Sequence, residues 1–374
     1  MKKLVDYRPT RAVVNTDAIR SNVGNLKKYL PDRTVVIAVV KADGYGHGAV
    51  ESARAAFQAG ATMAAVATPD EALRLRSDGI QQPILIMGPS PISFIKEATR
   101  QNITLTIPGS AWARAAVDEL ESAKESLHVH VKIDTGMGRI GIRSKQELLE
   151  LFSILEGTSV IKVEGTFTHF ATADEPQHER TAEQFQAFMN LVACFPERPK
   201  LVHAANSAAA LRFKDYALDA VRFGIGMYGI APSEFVASEL PFQLEPALHL
   251  ETEITFVKQA KSVEAISYGG TYNAQPGEWI ATLPIGYADG LKRNLRGQQV
   301  LVRGQRVPII GTICMDQCMI RLPEYIPEGE PVVLIGKQGA EEITMEEWAT
   351  RIGTIPYEIA VTIAGRVQRQ YFGD

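Results

Sequence analysis

From Val35 to Gly226 the sequence keeps one rhythm: a short apolar run, a turn, a helical stretch, then another apolar run. Strand-like runs begin at Val35, Met63, Ile84, Ile103, His128, Ile161, Leu201 and Ala220. The first, "TVVIAVVK", is continuously apolar, the pattern of a strand covered on both faces. Helical stretches such as "AVESARAAFQAG", "PDEALRLRSDG" and a longer one from about Thr181 to Phe195 separate the runs. Ahead of them, "NTDAIRSNVGNLKKYL" has a cap signal followed by Ile19, Val23, Leu26 and Leu30 on one helical face. Eight strands alternating with helices predict a (β/α)8 barrel. The competing doubly wound sheet calls for a dinucleotide glycine fingerprint after its first strand, and the glycines of "GYGHG" are spaced differently.

After about Pro241 the pattern changes. "LHLETEITFVKQAKSV", "EWIATLP", "QVLVRGQRVPIIGTICMDQCMIRL" and "EPVVLIGK" are strand-like and separated by Gly/Pro turns, with helical pieces only near Met345–Arg351 and Pro356–Ala364. This predicts a barrel domain over residues 1–241 and a mainly antiparallel β domain over 242–374. The short strand "RAVVN" precedes the barrel, and residues 1–14 can pair with the second domain.

The 374 residues carry a net charge of −4, with 45% hydrophobic and 22% charged residues, the composition of a soluble globular protein. No basic run or aromatic-interleaved basic patch is present, which argues against a nucleic-acid partner. "MKKLVDYRPT" has no apolar core behind its lysines, and no apolar run approaches the roughly 20 residues that cross a bilayer. No membrane partner is expected, and the expected location is the cytoplasm. Three cysteines, Cys194, Cys314 and Cys318, are too few for a disulfide framework. Cys314 and Cys318 lack a second pair nearby, so no metal site is expected.

Catalytic groups in such barrels gather at the C-terminal strand ends. Lys41 ends the first strand, where burying its charge is costly. "DTGMGRIG", with Asp134 and Arg139, follows the fifth strand, and His169 ends the sixth. Asn206 and Ser207 end the seventh, and "FGIG" follows the eighth. Each has an ordinary reading alone: a snorkelling lysine, a helix cap at Asn206–Ser207, a core histidine, a rim salt bridge at Arg139. Together on one face they point to a site. Small residues at the last two strand ends suit a phosphate, and a phosphate with a strand-end lysine suggests pyridoxal 5'-phosphate held as an imine on Lys41.

"AVVKADGYGHG", "DTGMGRIG", "THFATAD", "HAANS", "VRFGIGMYG", "SYGGTY", "LPIGYADG", "ICMDQCM" and "IPYEIA" occur in order along essentially the whole chain. In these motifs the sequence resembles the alanine racemases. The resemblance implies a pyridoxal 5'-phosphate barrel with a β domain, working as a homodimer whose two active sites each draw residues from both subunits. Lys41 matches the imine-forming lysine and first base. Tyr268, from the partner chain, matches the second. Tyr45, Ser207, Gly224, Ile225 and Tyr357 match positions around the phosphate, with His169 and Asn206 also on the cofactor's side. Arg222 matches the arginine facing the pyridine nitrogen, with His203 behind it. Arg139 and the backbone N–H of Met315 match contacts to the substrate carboxylate. Tyr287 and Asp316, also from the partner, match positions near the entrance, and Cys314 is counted among the residues behind the site. Lys132 matches a lysine that is carbamylated in some members and braces the arginine. The implied role is supply of D-alanine for peptidoglycan from L-alanine.

Racemisation removes the Cα proton from one face and returns one to the other, which two opposed bases achieve without moving. Lys41 and Tyr268 serve only if both lie below their usual pKa near 10. Tyr268, Tyr287 and Tyr357 at the entrance leave room for little more than a methyl. The rivals are a broader amino-acid racemase, a decarboxylase of the same fold, and a catalytically silent cofactor carrier. A decarboxylase calls for a carboxylate where Arg222 stands. A carrier has neither a second domain nor a counterpart of Tyr268.

Overall fold

The computed structural model describes residues 7–120 and 126–373. The chain divides into two compact units: one spans Asp17–Pro246, the other joins the segment ending at Thr16 to the segment beginning at Ala247.

In the second of these units, β1 (Arg11–Asn15) belongs to the sheet described below. The first unit holds β2 (Val35–Val39), β3 (Met63–Val66), β4 (Ile84–Ile86), β5 (Ile103–Ile107), β6 (Leu127–Lys132), β7 (Ile161–Phe167), β8 (Leu201–His203) and β9 (Ala220–Phe223). All are parallel, in the order β8-β7-β6-β5-β4-β3-β2-β9. The ring closes where Asp219 N donates to Val202 O at 3.1 Å and Arg222 N to Ala205 O at 3.0 Å. This is the (β/α)8 barrel that the alternation predicts. Seven of the eight strands begin where the apolar runs begin, and the remaining one starts one residue early, at Leu127, which pairs with Ile161. The long helix runs over Glu179–Val192, shifted toward its N-terminus relative to the apolar pattern.

The strands are apolar because both faces are covered: Ile84, Leu85, Ile86, Leu105 and Ile107 have no exposed surface. Helices begin at side-chain caps, which settle orphan N–H groups of the first turn. Thr68 caps Glu71 with Pro69 at the first helical position, Ser144 caps Glu147, and Asn206 caps Ala209. The register of β6 on β7 slips between Val129 and His130, so that His130 lies opposite Gly165. A Cβ on Gly165 would come within 2.5 Å of the His130 ring, so only glycine leaves room for that ring in the barrel interior.

The other unit is mainly antiparallel. Its ten-stranded sheet runs β11-β14-β17-β16-β15-β18-β10-β1-β20, with β19 (Glu341–Ile343) on β18. The strands are β10 (Leu248–Glu253), β11 (Phe256–Gln259), β14 (Trp279–Leu283), β15 (Gln299–Val302), β16 (Gln305–Ile310), β17 (Cys318–Leu322), β18 (Pro331–Gln338) and β20 (Gln368–Phe372). A hairpin of β12 (Glu264–Ile266) and β13 (Tyr272–Ala274) packs Ile266 and Ala274 against Ala260, Ile280 and Ile310. β1 lies antiparallel to β10 and parallel to β20. Among the described residues no helix is long and apolar enough to cross a membrane.

Candidate active site

Lys41 opens a left-handed turn. Ala42, Asp43, Gly44 and Tyr45 have φ of 52°, 50°, 63° and 50°. Ala42 and Tyr45 each cost about 1–2 kcal/mol there, and Asp43 less because its carboxylate bonds locally, so the surroundings must hold the turn. Gly44 N donates to Val40 O at 2.8 Å, and Gly48 N to Asp43 O at 2.7 Å. Ala49 N donates to Asp43 Oδ1 at 3.1 Å. Glu71 reaches in from the helix after β3: its Oε1 accepts from Ala42 N at 2.7 Å while Oε2 accepts from Ala67 N at 2.7 Å. The turn sets the Lys41 amine 5.9 Å from the centre of the Tyr45 ring. Burial, Arg139 and Arg222 lower the pKa of that amine, and Glu71 opposes them.

Below this turn runs a chain of rings and a guanidinium. Arg222, on β9 and 2% exposed, has Nη1 3.0 Å from His203 Nδ1 and Nη2 3.3 Å from His169 Nδ1. Its Nη2 also donates to the carbonyls of Thr168 at 2.8 Å and Ala204 at 2.9 Å. His203 Nε2 lies 2.9 Å from His130 Nδ1. Burial, then Arg139, bring the guanidinium down to about 9, which leaves it charged at neutral pH. Burial first, and the neighbouring arginine, hold His130 down at about 3. His169 and His203 are likewise held well below the ordinary histidine range, chiefly by burial.

The loop after β6 is built around one carboxylate. Asp134 Oδ1 accepts from Gly136, Met137 and Gly138 N at 3.1, 2.9 and 3.1 Å, and Oδ2 from Arg139 N at 3.0 Å. Burial raises its pKa, and these hydrogen bonds outweigh the burial and keep it below the usual range. The loop projects Arg139, whose guanidinium makes no ion pair among the described residues. Lys132, 2% exposed, donates to Ile133 O at 2.7 Å and lies 5.4 Å from the centre of the Phe167 ring. Burial and Arg222 bring its amine down to about 7.

At the ends of β8 and β9, Ser207 Oγ accepts from Gly224 N at 2.9 Å and Gly226 N at 3.5 Å. Ile225 is buried beside them. A Cβ on Gly224 would stand 2.7 Å from the Tyr45 hydroxyl oxygen, so glycine keeps that space open. Asn206 spends its side chain locally: Oδ1 caps Ala209 N at 3.0 Å and Nδ2 reaches Phe170 O at 3.4 Å. Lys41, Tyr45, Lys132, Arg139, His169, His203, Ser207, Arg222, Gly224 and Ile225 thus all lie at or just inside one rim of the barrel. Its cations outnumber its carboxylates, and the three nearby carboxylates, Asp43, Glu71 and Asp134, each accept backbone N–H groups. Such a rim suits an anionic ligand.

The remaining candidates lie in the β unit. Tyr268 follows Ser267, whose φ is 64°, and is 71% exposed. Ser267 Oγ donates to Thr312 O at 2.5 Å and sits 3.4 Å from Cys314 Sγ, while Thr312 Oγ1 donates to Tyr268 O at 2.8 Å. Tyr287 N donates to Cys314 O and Ala288 N to Met315 O, both at 3.0 Å. One loop cluster therefore presents Tyr268, Tyr287, Cys314, Met315 and Asp316 together. Asp289, whose side chain is fully buried, braces the cluster between Arg8 at 2.7 Å and Arg366 at 2.9 Å, and Arg366 also reaches Asp316 at 2.9 Å. Tyr357 stands on helix Pro356–Thr362, partly exposed.

Residues 14–232 match the profile of the alanine racemase N-terminal domain, and residues 247–371 that of the C-terminal domain. The chain belongs to the alanine racemase family. An alanine racemase of Geobacillus kaustophilus is 47% identical over 98% of this chain and 95% of its own. The crystal structure of a Bacillus anthracis alanine racemase with bound L-Ala-P superposes with a TM-score of 0.96 at 45% identity, covering 99% of this chain and 97% of that one. A histidine racemase of Leuconostoc mesenteroides shares the fold at a TM-score of 0.92 and 32% identity, covering 99% of both.

Two residues that shape the site were not singled out from the sequence. Glu71 carried a signal, the capping box Thr68-Pro-Asp-Glu71, but nothing in it announced the reach to Ala42. His130 sits mid-strand in "HVHVK" with no motif around it.

Proposed function

We propose that the chain interconverts L-alanine and D-alanine with pyridoxal 5'-phosphate bound at the barrel rim, as a cytoplasmic homodimer supplying D-alanine for peptidoglycan. The observation that carries the reading is Lys41, presented on a clamped left-handed turn with its pKa lowered by burial and two arginines. The rim fits the cofactor. Lys41 makes no ion pair among the described residues, Gly224 leaves open the space beside the Tyr45 hydroxyl, and Ser207 gathers backbone N–H groups at the same place. Tyr45, Ser207, Gly224 and Ile225, with Asn206 and Tyr357, would hold its phosphate end, and Arg222 and His169 its ring.

When bound, pyridoxal 5'-phosphate supplies an aldehyde carbon that bonds to amines and a ring that draws electron density from the substrate's Cα. Lys41, deprotonated more readily than an ordinary lysine, takes or returns the Cα proton on one face. Tyr268 of a second copy does so on the other. Arg139 and the Met315 N–H orient the substrate carboxylate. Arg222 keeps its own proton, so it offers a hydrogen bond where a carboxylic acid would give a proton away. His203, Lys132, Tyr287, Cys314 and Asp316 hold these groups in place. Support for the homodimer comes from the β unit, where exposed Tyr268, Tyr287 and Met315 form one loop cluster.

The test incubates the protein and pyridoxal 5'-phosphate with L-alanine in deuterated water. D-alanine carrying deuterium at Cα is the expected product. Exchange without inversion removes the second base from the proposal. No exchange with L-alanine, but exchange with L-serine or L-histidine, moves the activity to a broader racemase, a reading favoured by the fold shared with the histidine racemase.

A further inference from the structure

We infer that Glu71 is a positioning residue for Lys41, clamping the left-handed turn through Ala42 and placing the negative charge that faces the lysine amine. The inference rests on Lys41 being the reactive amine of the proposed function.

Glu71 occupies the third position of helix Pro69–Ser77, where a glutamate ordinarily returns its carboxylate to the cap residue's own N–H. Here the cap contact, Thr68 N to Oε2, is the longer one at 3.3 Å. The 2.7 Å bonds go elsewhere: from Ala67 N at the end of β3, and from Ala42 N immediately after Lys41. One carboxylate therefore ties two neighbouring strand ends together at the point where the backbone enters its left-handed stretch. An ionised carboxylate only accepts, so both N–H groups are satisfied without competition.

The groups facing Lys41 are known from each side. Arg139 comes from the loop after β6, Arg222 from β9, and both lower its proton affinity; Glu71, from the helix after β3, raises it. His169, itself held neutral by burial, and the Tyr45 ring complete the surroundings. The other carboxylates nearby are engaged: Asp43 with Ala49 N and Arg74, Asp134 with its own loop. Removing Glu71 leaves the amine among cations and the turn without its cross-link.

The experiment compares wild type with Glu71→Gln and Glu71→Asp. The first readout is hydrogen–deuterium exchange of the segment 41–48. The second is the pH midpoint at which added pyridoxal 5'-phosphate develops its protein-bound visible absorbance. In Glu71→Gln, exchange is expected to quicken about tenfold as the turn loses its cross-link, and the midpoint to fall because the charge that raises the amine's proton affinity is gone. Glu71→Asp keeps the charge but not the reach: it should exchange quickly while its midpoint stays near that of wild type. Unchanged exchange in either variant overturns the inference, and Glu71→Asp decides this alone if Glu71→Gln does not fold. Faster exchange with an unmoved midpoint in Glu71→Gln also overturns it, leaving only a structural brace. Wild type that develops no bound absorbance overturns the proposed function and takes the inference with it.

Discussion

Arg222 Nη1 lies 3.0 Å from His203 Nδ1, and this single contact fixes protons two residues away. A guanidinium only donates, so His203 Nδ1 accepts and its proton sits on Nε2. That Nε2 then donates to His130 Nδ1 at 2.9 Å, which places the second ring's proton on its own Nε2. His130 Nε2 has no hydrogen-bond partner among the described residues. Nitrogen NMR of histidine-labelled protein should show both rings as neutral Nε2–H tautomers. A Nδ1–H signal from His203 would reverse the assignment.

The same burial makes stability depend on pH. An unfolded histidine titrates near 6.5, whereas His130 is held at about 3 and His169 and His203 well below their ordinary range. Above pH 6.5 both folded and unfolded chains carry these rings neutral, and the full stability is present. As the pH falls, the unfolded chain takes up protons that the folded chain refuses, so stability drops from pH 6.5 down toward about 3 for His130. At pH 5 His130 alone should cost about 2 kcal/mol relative to pH 7.5. Urea midpoints at the two pH values test this, and His130→Leu should shrink the difference by about that amount. A midpoint that rises on acidification contradicts it.

Gly165→Ala should damage the barrel although its backbone is ordinary strand. The new Cβ would stand 2.5 Å from the His130 ring, which has nowhere to go inside the barrel. Overpacking of this kind costs about 1–3 kcal/mol, readable as a lower urea midpoint. Since the ring is also the partner of His203, the tautomer signals should change in the same variant.

A site shared between two copies, as proposed, predicts complementation. Lys41→Ala and Tyr268→Phe should each lower racemisation by about 10²-fold or more. When the two inactive variants are unfolded together and refolded at equal amounts, half of the dimers should be mixed, and each mixed dimer carries one intact site. About a quarter of wild-type activity should return. A mixture that stays as inactive as its parents would place both bases in one chain.

Much of this was legible in the sequence, for identifiable reasons. Strands buried on both faces must be apolar throughout, so their starts at Val35, Met63 and Ile84 stand out against charged helices. Asp134 and Arg139 announced themselves through the glycines between them, which a tight loop around one carboxylate requires. Ala42, Asp43 and Tyr45 did not announce a left-handed turn. The residue types of Ala42 and Tyr45 disfavour it, and it is held by hydrogen bonds that Glu71 accepts from Ala42 N and Asp43 accepts from Ala49 N, which local patterns do not encode. His130 was hidden for the converse reason. A histidine in an apolar strand looks like any satisfied core histidine until the register slip at Val129 sets it against Gly165.

Strand β1 finds both of its neighbours, β10 and β20, on the far side of the barrel in the chain. During synthesis it leaves the ribosome before either partner exists, and it stays bare along both edges while Asp17–Pro246 emerges. The barrel is contiguous and can close as soon as it is made, whereas the sheet waits for its last strand. In a growing chain this alternating segment is therefore an early, unpaired edge, the form in which strands recruit one another between molecules. Crowded expression at high temperature should lose this protein first through β1, seen as aggregate that forms faster than barrel activity is lost.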